Sequence, residues 1–150
     1  AFRPYCDWLA GVDISPGMIE QARGKGFYDR LVVAELIEFL TGEAGAQHHL
    51  VLAADVFVYC SDLVPIAAAA ASVLAPGGLF AFTVETHDDS GVRLQETLRY
   101  AHGRAHVRAA IAAAGLALRQ ISAVSTRNEK GAPVPGLLVV ASTPPSSSSP

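Results

Sequence analysis

Residues 49–85, HLVLAADVFVYCSDLVPIAAAAASVLAPGGLFAFTVE, decide the fold. The first ten are apolar and β-branched with no charge before Asp55, the strongest strand signal in the chain. Residues 63–75 are Ala-rich and predict a buried helix. Pro76-Gly77-Gly78 predicts a turn, and residues 79–85 a second strand. Apolar strands joined by a helix are buried on both faces, as in parallel sheets. Residues 63–84 carry no charge and are long enough to cross a bilayer. The Pro-Gly-Gly break makes a buried helix, turn and strand the better reading.

Working outward, the alternation continues in both directions. Residues 9–14 (LAGVDI) predict a strand ending in an acid. Ser15 then suits a helix N-cap, Pro16 suits the first helical position, and Gly24 and Gly26 suit the helix end. Residues 31–34 predict another strand, followed by a short helix at 36–40 and a loop at 41–47. Beyond Glu85, residues 86–100 read as polar and irregular, and residues 104–114 as a helix stopped by Gly115. Residues 116–126 and 136–142 predict strands of a hairpin closed by a long turn, with Arg127–Lys130 as a solvated tip. Residues 144–150 (PPSSSSP) hold no core-forming side chain, and 143–150 are expected to form a disordered tail. The expectation is an α/β fold whose mostly parallel sheet carries an antiparallel C-terminal hairpin strand.

Composition narrows the functions. The chain has 150 residues, 51% of them apolar and 17% charged, with mean hydropathy +0.32, enough for one packed domain. Eleven basic residues against fourteen acidic leave a net charge of −3 without a basic block, so nucleic acid is not an expected partner. Cys6 and Cys60 lie far apart and outside any CxxC pairing, which fits a reducing compartment. Residues 1–8 include Arg3 and Asp7 and no apolar run, so no signal peptide is expected. A cytoplasmic location without membrane attachment follows. His48 and His49 read as a surface pair rather than a metal site. Gly24-Lys25-Gly26 lies at a helix C-terminus, where the dipole repels anions, and is not a phosphate loop.

These segments, taken in order, resemble the class I S-adenosylmethionine-dependent methyltransferases. GVDISPGMIEQAR resembles the family's second strand and following helix, and LVVAELIEFL its third-strand segment, with Ala34-Glu35-Leu36 where Ala-Asp-Leu is usual. AADVFVYCSDL is similar to the fourth-strand motif and LAPGGLFAFTVE to the helix, turn and fifth strand. The resemblance runs from about Trp8 to Ser142. Its wording is nearest the branch whose members carry tetratricopeptide repeats upstream. The family's GxGxG motif has no counterpart before Asp13, and AFRPYCDW resembles the last turns of the family's first helix. The chain is thus expected to be an N-terminally truncated methyltransferase domain, residues 1–142, lacking the first strand. The neighbours of that strand would then pair 9–14 with 50–55, accept a strand from a second copy, or have folded with an upstream segment.

The resemblance implies S-adenosylmethionine as cofactor, held by Asp13, Ile14, Met18, Glu35, Leu36, Ala54, Asp55 and Val56. A strand-end carboxylate such as Asp13 can accept from both hydroxyls of a ribose. Asp13 can equally be a capping device, Glu35 a cap for the 36–40 helix, and Asp55 a plain strand-end acid. Tyr59, His87, Arg99, Tyr100 and His102 fall where the family builds its substrate pocket, and His87, Tyr100 or His102 would be the base if one is used. The partner is then a small-molecule or protein methyl acceptor, with a homodimer formed by strand exchange as a further expectation. Two readings compete. A nicotinamide-dependent dehydrogenase also ends its second strand in an acid, and a non-catalytic fragment would keep the sheet but bind no cofactor.

Overall fold

The computed structural model describes residues 3–146. They form two compact units that divide after Glu43.

The first unit is a parallel strand–helix–strand element. β1 (Ala10–Asp13) and β2 (Arg30–Val33) pair in parallel, Asp13 opposite Val33. α1 (Pro16–Gly24) connects them, with Ser15 Oγ accepting the Met18 amide and Pro16 in the first turn, as the sequence predicts. Gly26 ends α1 at φ +70°, donating its amide to the Arg23 carbonyl. α2 (Leu36–Gly42) follows β2 and is capped by the Glu35 side chain. Asp29 takes Arg3 and the Leu9 amide, tying the start of the unit to the head of β2.

The second unit is built on β4 (Leu74–Glu85), which pairs in parallel with β3 (His48–Ala53) on one edge and antiparallel with β8 (Ala132–Ser142) on the other. α3 (Val64–Val73) joins β3 to β4 and buries Ile66, Ala67, Ala69, Ala70 and Val73, apolar on more than one side as a core helix must be. β4 alternates Phe80, Phe82 and Val84 into the core opposite Ala141, Val139 and Leu137 of β8. Phe57 packs its ring 5.3 Å from Phe82, and Phe80 lies 4.6 Å from Phe82. Each buried aromatic contributes about 1.5–3 kcal/mol of apolar burial, so this stack anchors the unit. α4 (Arg104–Ala113) buries Val107, Ala110 and Ile111, one stripe at helical spacing, and Gly115 ends it at φ +71°. β7 (Ala117–Glu129) then pairs antiparallel with β8 along its whole length.

The expected α/β fold with an antiparallel C-terminal hairpin is therefore present, its described strands forming a two-stranded and a six-stranded sheet. Several local expectations change. The strand expected over residues 49–58 stops at Ala53, because Asp55 takes φ +56° and Phe57–Tyr59 form a 3-10 turn. Pro76-Gly77-Gly78 does not separate helix from strand: β4 begins at Leu74, and the ladder jumps from His48–Leu74 to Leu50–Leu79. Residues 75–78 bulge out of the strand, with Gly77 at φ +75° and Gly78 against the Ala75 and His48 carbonyls. Residues 86–100 are not irregular throughout. They contain β5 (Val92–Leu94), which pairs antiparallel with β6 (Tyr100–His102), and β6 meets β4 in parallel at Glu85–Ala101.

The long hairpin turn expected at 127–135 is a two-residue turn. Lys130 and Gly131 sit at φ +48° and +83°, the pattern whose twist matches antiparallel strands. Of the arrangements expected for 9–14 and 50–55, direct pairing is absent among the described residues, where β1 pairs β2 and β3 pairs β4. Past β8, Thr143 donates its hydroxyl to the Ala75 carbonyl at 2.6 Å and Pro144 accepts the Gly77 amide, so order extends into the expected tail. Residues 147–150 of that tail lie outside the described residues. No described helix is long and apolar enough to cross a membrane.

Candidate active site

In the first unit the acids gather at the carboxyl end of the sheet. Asp13 is the last residue of β1, and Glu35 lies just past β2, which runs parallel to it. Ligands of open α/β sheets collect at this end. Asp13 is half-buried and its Oδ1 accepts the Ser15 amide at 2.8 Å. Oδ1 thus caps the turn into α1, and among the described residues Oδ2 has no partner. Asp13 lines a cavity of about 180 Å³ together with Gly11, Met18 and Tyr28. Ile14 and Met18 beside it are exposed, at 73% and 52%. Glu35 is exposed, and its Oε2 accepts the Glu38 amide at 3.0 Å, which gives it a capping role. Leu36 is half-buried in the first turn of α2.

In the second unit Ala54, Asp55 and Val56 are exposed on the loop leaving β3. The Asp55 amide donates to Thr83 Oγ1 of β4 at 2.9 Å, fixing an otherwise unfavourable left-handed conformation. A charge cluster surrounds this loop. Glu85, the last residue of β4, is fully buried, and Arg127 Nη1 lies 2.5 Å from its Oε1. The same Nη1 is 3.7 Å from Asp55 Oδ1, and Nη2 bonds Glu129 at 3.0 Å. Arg99 approaches Glu85 at 3.7 Å and sets its guanidinium 5.7 Å from the Tyr59 ring centre. Burial pushes the Glu85 carboxyl above the usual carboxylate range, Arg127 pulls it back, and Asp55 and Glu129 push it up again. Burial works against the charge on Arg127, but Glu129, Glu85 and Asp55 together raise its pKa and hold it protonated.

Arg127 is therefore no solvated hairpin tip. Sequence reading missed it, and missed Glu85 and Thr83. The only signal was Glu85 closing an apolar strand, where an acid needs a partner.

The expected substrate residues separate. Tyr59 is 67% exposed, while Arg99 and Tyr100 are half-buried. His102 is fully buried at the end of β6, its ring stacked 5.3 Å from His106. Burial is the main cause that brings its pKa down to about 4, and His106 and His87 add to the shift. The backbone of Phe57 and Cys60 opposes it. A neutral, solvent-excluded ring suits core packing better than proton exchange with a substrate. His87 lines an open groove of about 510 Å³ with Thr86, Asp88, Asp89 and Arg104.

Parallel strands joined by helices and an antiparallel C-terminal hairpin define a Rossmann-like α/β fold. Residues 1–82 match the methyltransferase domain family, and the chain belongs to that family. Its fold is that of S-adenosylmethionine-dependent methyltransferases. The Burkholderia thailandensis 1,6-didemethyltoxoflavin-N1-methyltransferase, solved with bound 1,6-didemethyltoxoflavin and S-adenosylhomocysteine, superposes with a TM-score of 0.69 at 19% identity, over 90% of this chain and 60% of that one. This chain thus spans about three fifths of that enzyme's length. A putative S-adenosylmethionine-dependent methyltransferase from Listeria monocytogenes gives 0.72 at 16% identity, over 92% and 81%. A putative methyltransferase from Haloferax volcanii, solved with a methyltransferase activator protein, gives 0.74 at 19%, over 95% and 76%. No curated protein matches.

Proposed function

We propose that this domain transfers a methyl group from S-adenosylmethionine to a small-molecule or protein acceptor in the cytoplasm. The observation that carries the reading is Asp13: it closes β1 inside the family-matched segment with a carboxylate oxygen that has no partner among the described residues. The residues fit the cofactor. Asp13 would accept from the ribose, with Ile14, Met18 and Leu36 supplying apolar contacts and Glu35 a further acceptor; Ala54, Asp55 and Val56, on the loop after β3, are also proposed cofactor contacts. When bound, the cofactor supplies an electrophilic methyl on a sulfonium. The chain's own task is to align the acceptor and exclude water, which accounts for much of the rate in such transfers. Tyr59, Arg99 and Tyr100 are proposed acceptor contacts. Half-buried His87, beside the open groove, is the candidate for holding a proton, and His102 gives up that role to packing.

The antiparallel β7–β8 pair weighs against the dehydrogenase reading, which favours parallel strands throughout. The net charge of −3 weighs against nucleic acid as acceptor. The wording of the motifs favours the tetratricopeptide-linked branch, and a homodimer is the proposed assembly. Calorimetric titration with S-adenosylhomocysteine, with NAD as control, tests the reading: saturable binding of the first alone supports it, and binding of NAD alone overturns it.

A further inference from the structure

Arg127 lies on β7, near the far end of the chain, yet its guanidinium lies within ion-pair distance, 2.5–3.7 Å, of three carboxylates on three segments. Glu85 ends β4, Asp55 sits on the loop after β3, and Glu129 neighbours it on β7. Those acids repel one another: Asp55 and Glu129 both act on Glu85 as like charges. Arg99 approaches only Glu85. Arg127 is thus the one described cation within salt-bridge reach of both Glu85 and Asp55. The loop it reaches holds a non-glycine residue at φ +56°, a conformation that persists only when its surroundings impose it. Thr83 holds the Asp55 amide, and Arg127 meets its side chain.

We infer that Arg127 is a positioning residue for the proposed active site, a latch by which the C-terminal hairpin fixes the Asp55 loop against the end of β4. The inference rests on the reading of Ala54–Val56 as cofactor contacts, but the latch itself has a readout that needs no cofactor. Without Arg127, Asp55 faces Glu85 and Glu129 with no bridging cation, and the loop is driven outward. Glu85 would also be left buried with only Arg99 nearby, so Arg127→Met can destabilise the unit for a purely structural reason. The double variant Arg127→Met/Glu85→Gln removes that buried charge and leaves the loop unlatched. It separates the two roles.

The experiment is amide hydrogen exchange across residues 54–59 in wild type, Glu85→Gln and the double variant, with the melting temperature of each. A latch predicts near wild-type melting for the double variant but exchange of this loop faster by about three- to tenfold, what a partly exposed ion pair can supply. Glu85→Gln alone, which keeps Arg127 on Asp55, should leave the loop protected. If Arg127→Met/Glu85→Gln unfolds, Arg127→Lys replaces it, since a single ammonium can pair with Glu85 without bridging all three acids. Loop protection equal to wild type in whichever variant folds overturns the latch. In the same samples S-adenosylhomocysteine affinity should fall by a similar factor. If wild type binds none while the exchange result holds, the cofactor reading fails and the latch stands.

Discussion

His102 offers a sharp test of how burial sets chemistry in this domain. The ring is completely enclosed, stacked on His106, and its pKa falls from 6.5 to about 4. A depressed folded pKa means that, as pH falls below 6.5, the unfolded chain takes the proton first. The stability that comes from keeping the ring neutral is present above pH 6.5 and is lost as pH drops toward 4. Between pH 7 and pH 5 the loss amounts to about 2 kcal/mol. Glu85 acts in the opposite sense, because its raised pKa lets the folded state gain a proton before the unfolded one. The comparison must therefore be made against His102→Gln, which lacks the titrating group and leaves Glu85 in place. Urea unfolding at pH 5, 6 and 7 should show wild type losing about 2 kcal/mol more than the variant over that range. Parallel pH dependences in the two proteins would refute the reasoning.

Other outcomes follow from packing and from the proposed site. Phe80→Ala removes a ring from the Phe57–Phe80–Phe82 stack and should cost about 3–5 kcal/mol by denaturant titration. Gly136→Ala would place a methyl against the Thr126 side chain and 2.8 Å from the Val84 carbonyl oxygen, so β8 must shift away from β4; a loss of about 1–3 kcal/mol should appear in the melting curve. Asp13→Ala should weaken S-adenosylhomocysteine binding about ten- to a hundredfold without unfolding the chain, the lost bond to the Ser15 amide lowering stability by only about 1 kcal/mol. Unchanged affinity would leave Asp13 as a cap alone.

Much of this architecture is legible in the residues because local chemistry and burial agree. Ser15-Pro16 starts α1 where capping requires it, and the alternation of apolar strands with an Ala-rich helix gives the parallel units directly. What escapes has identifiable causes. β5 and β6 are three residues each, too short to show a period. Pro133 and Pro135 suggest a long loop, yet both lie within β8, ahead of Gly136 where its pairing with β4 begins. A proline there forfeits no hydrogen bond to β4, so β8 extends through both and the turn shrinks to Lys130-Gly131. The site divides in the same way. Strand-end acids such as Asp13 and Asp55 announce themselves by following apolar runs. Arg127 does not, since its partners Glu85 and Asp55 are some forty and seventy residues distant and only the hairpin register brings them together.

The central claim, that this is a methyltransferase domain whose cofactor is gripped at the carboxyl end of β1 through Asp13, is tested most directly by a crystal structure of the chain grown with S-adenosylhomocysteine. The account predicts the ribose hydroxyls on the Asp13 carboxylate, with Ser15 still capping α1. Ligand bound elsewhere, with Asp13 facing only the Ser15 amide, would contradict it.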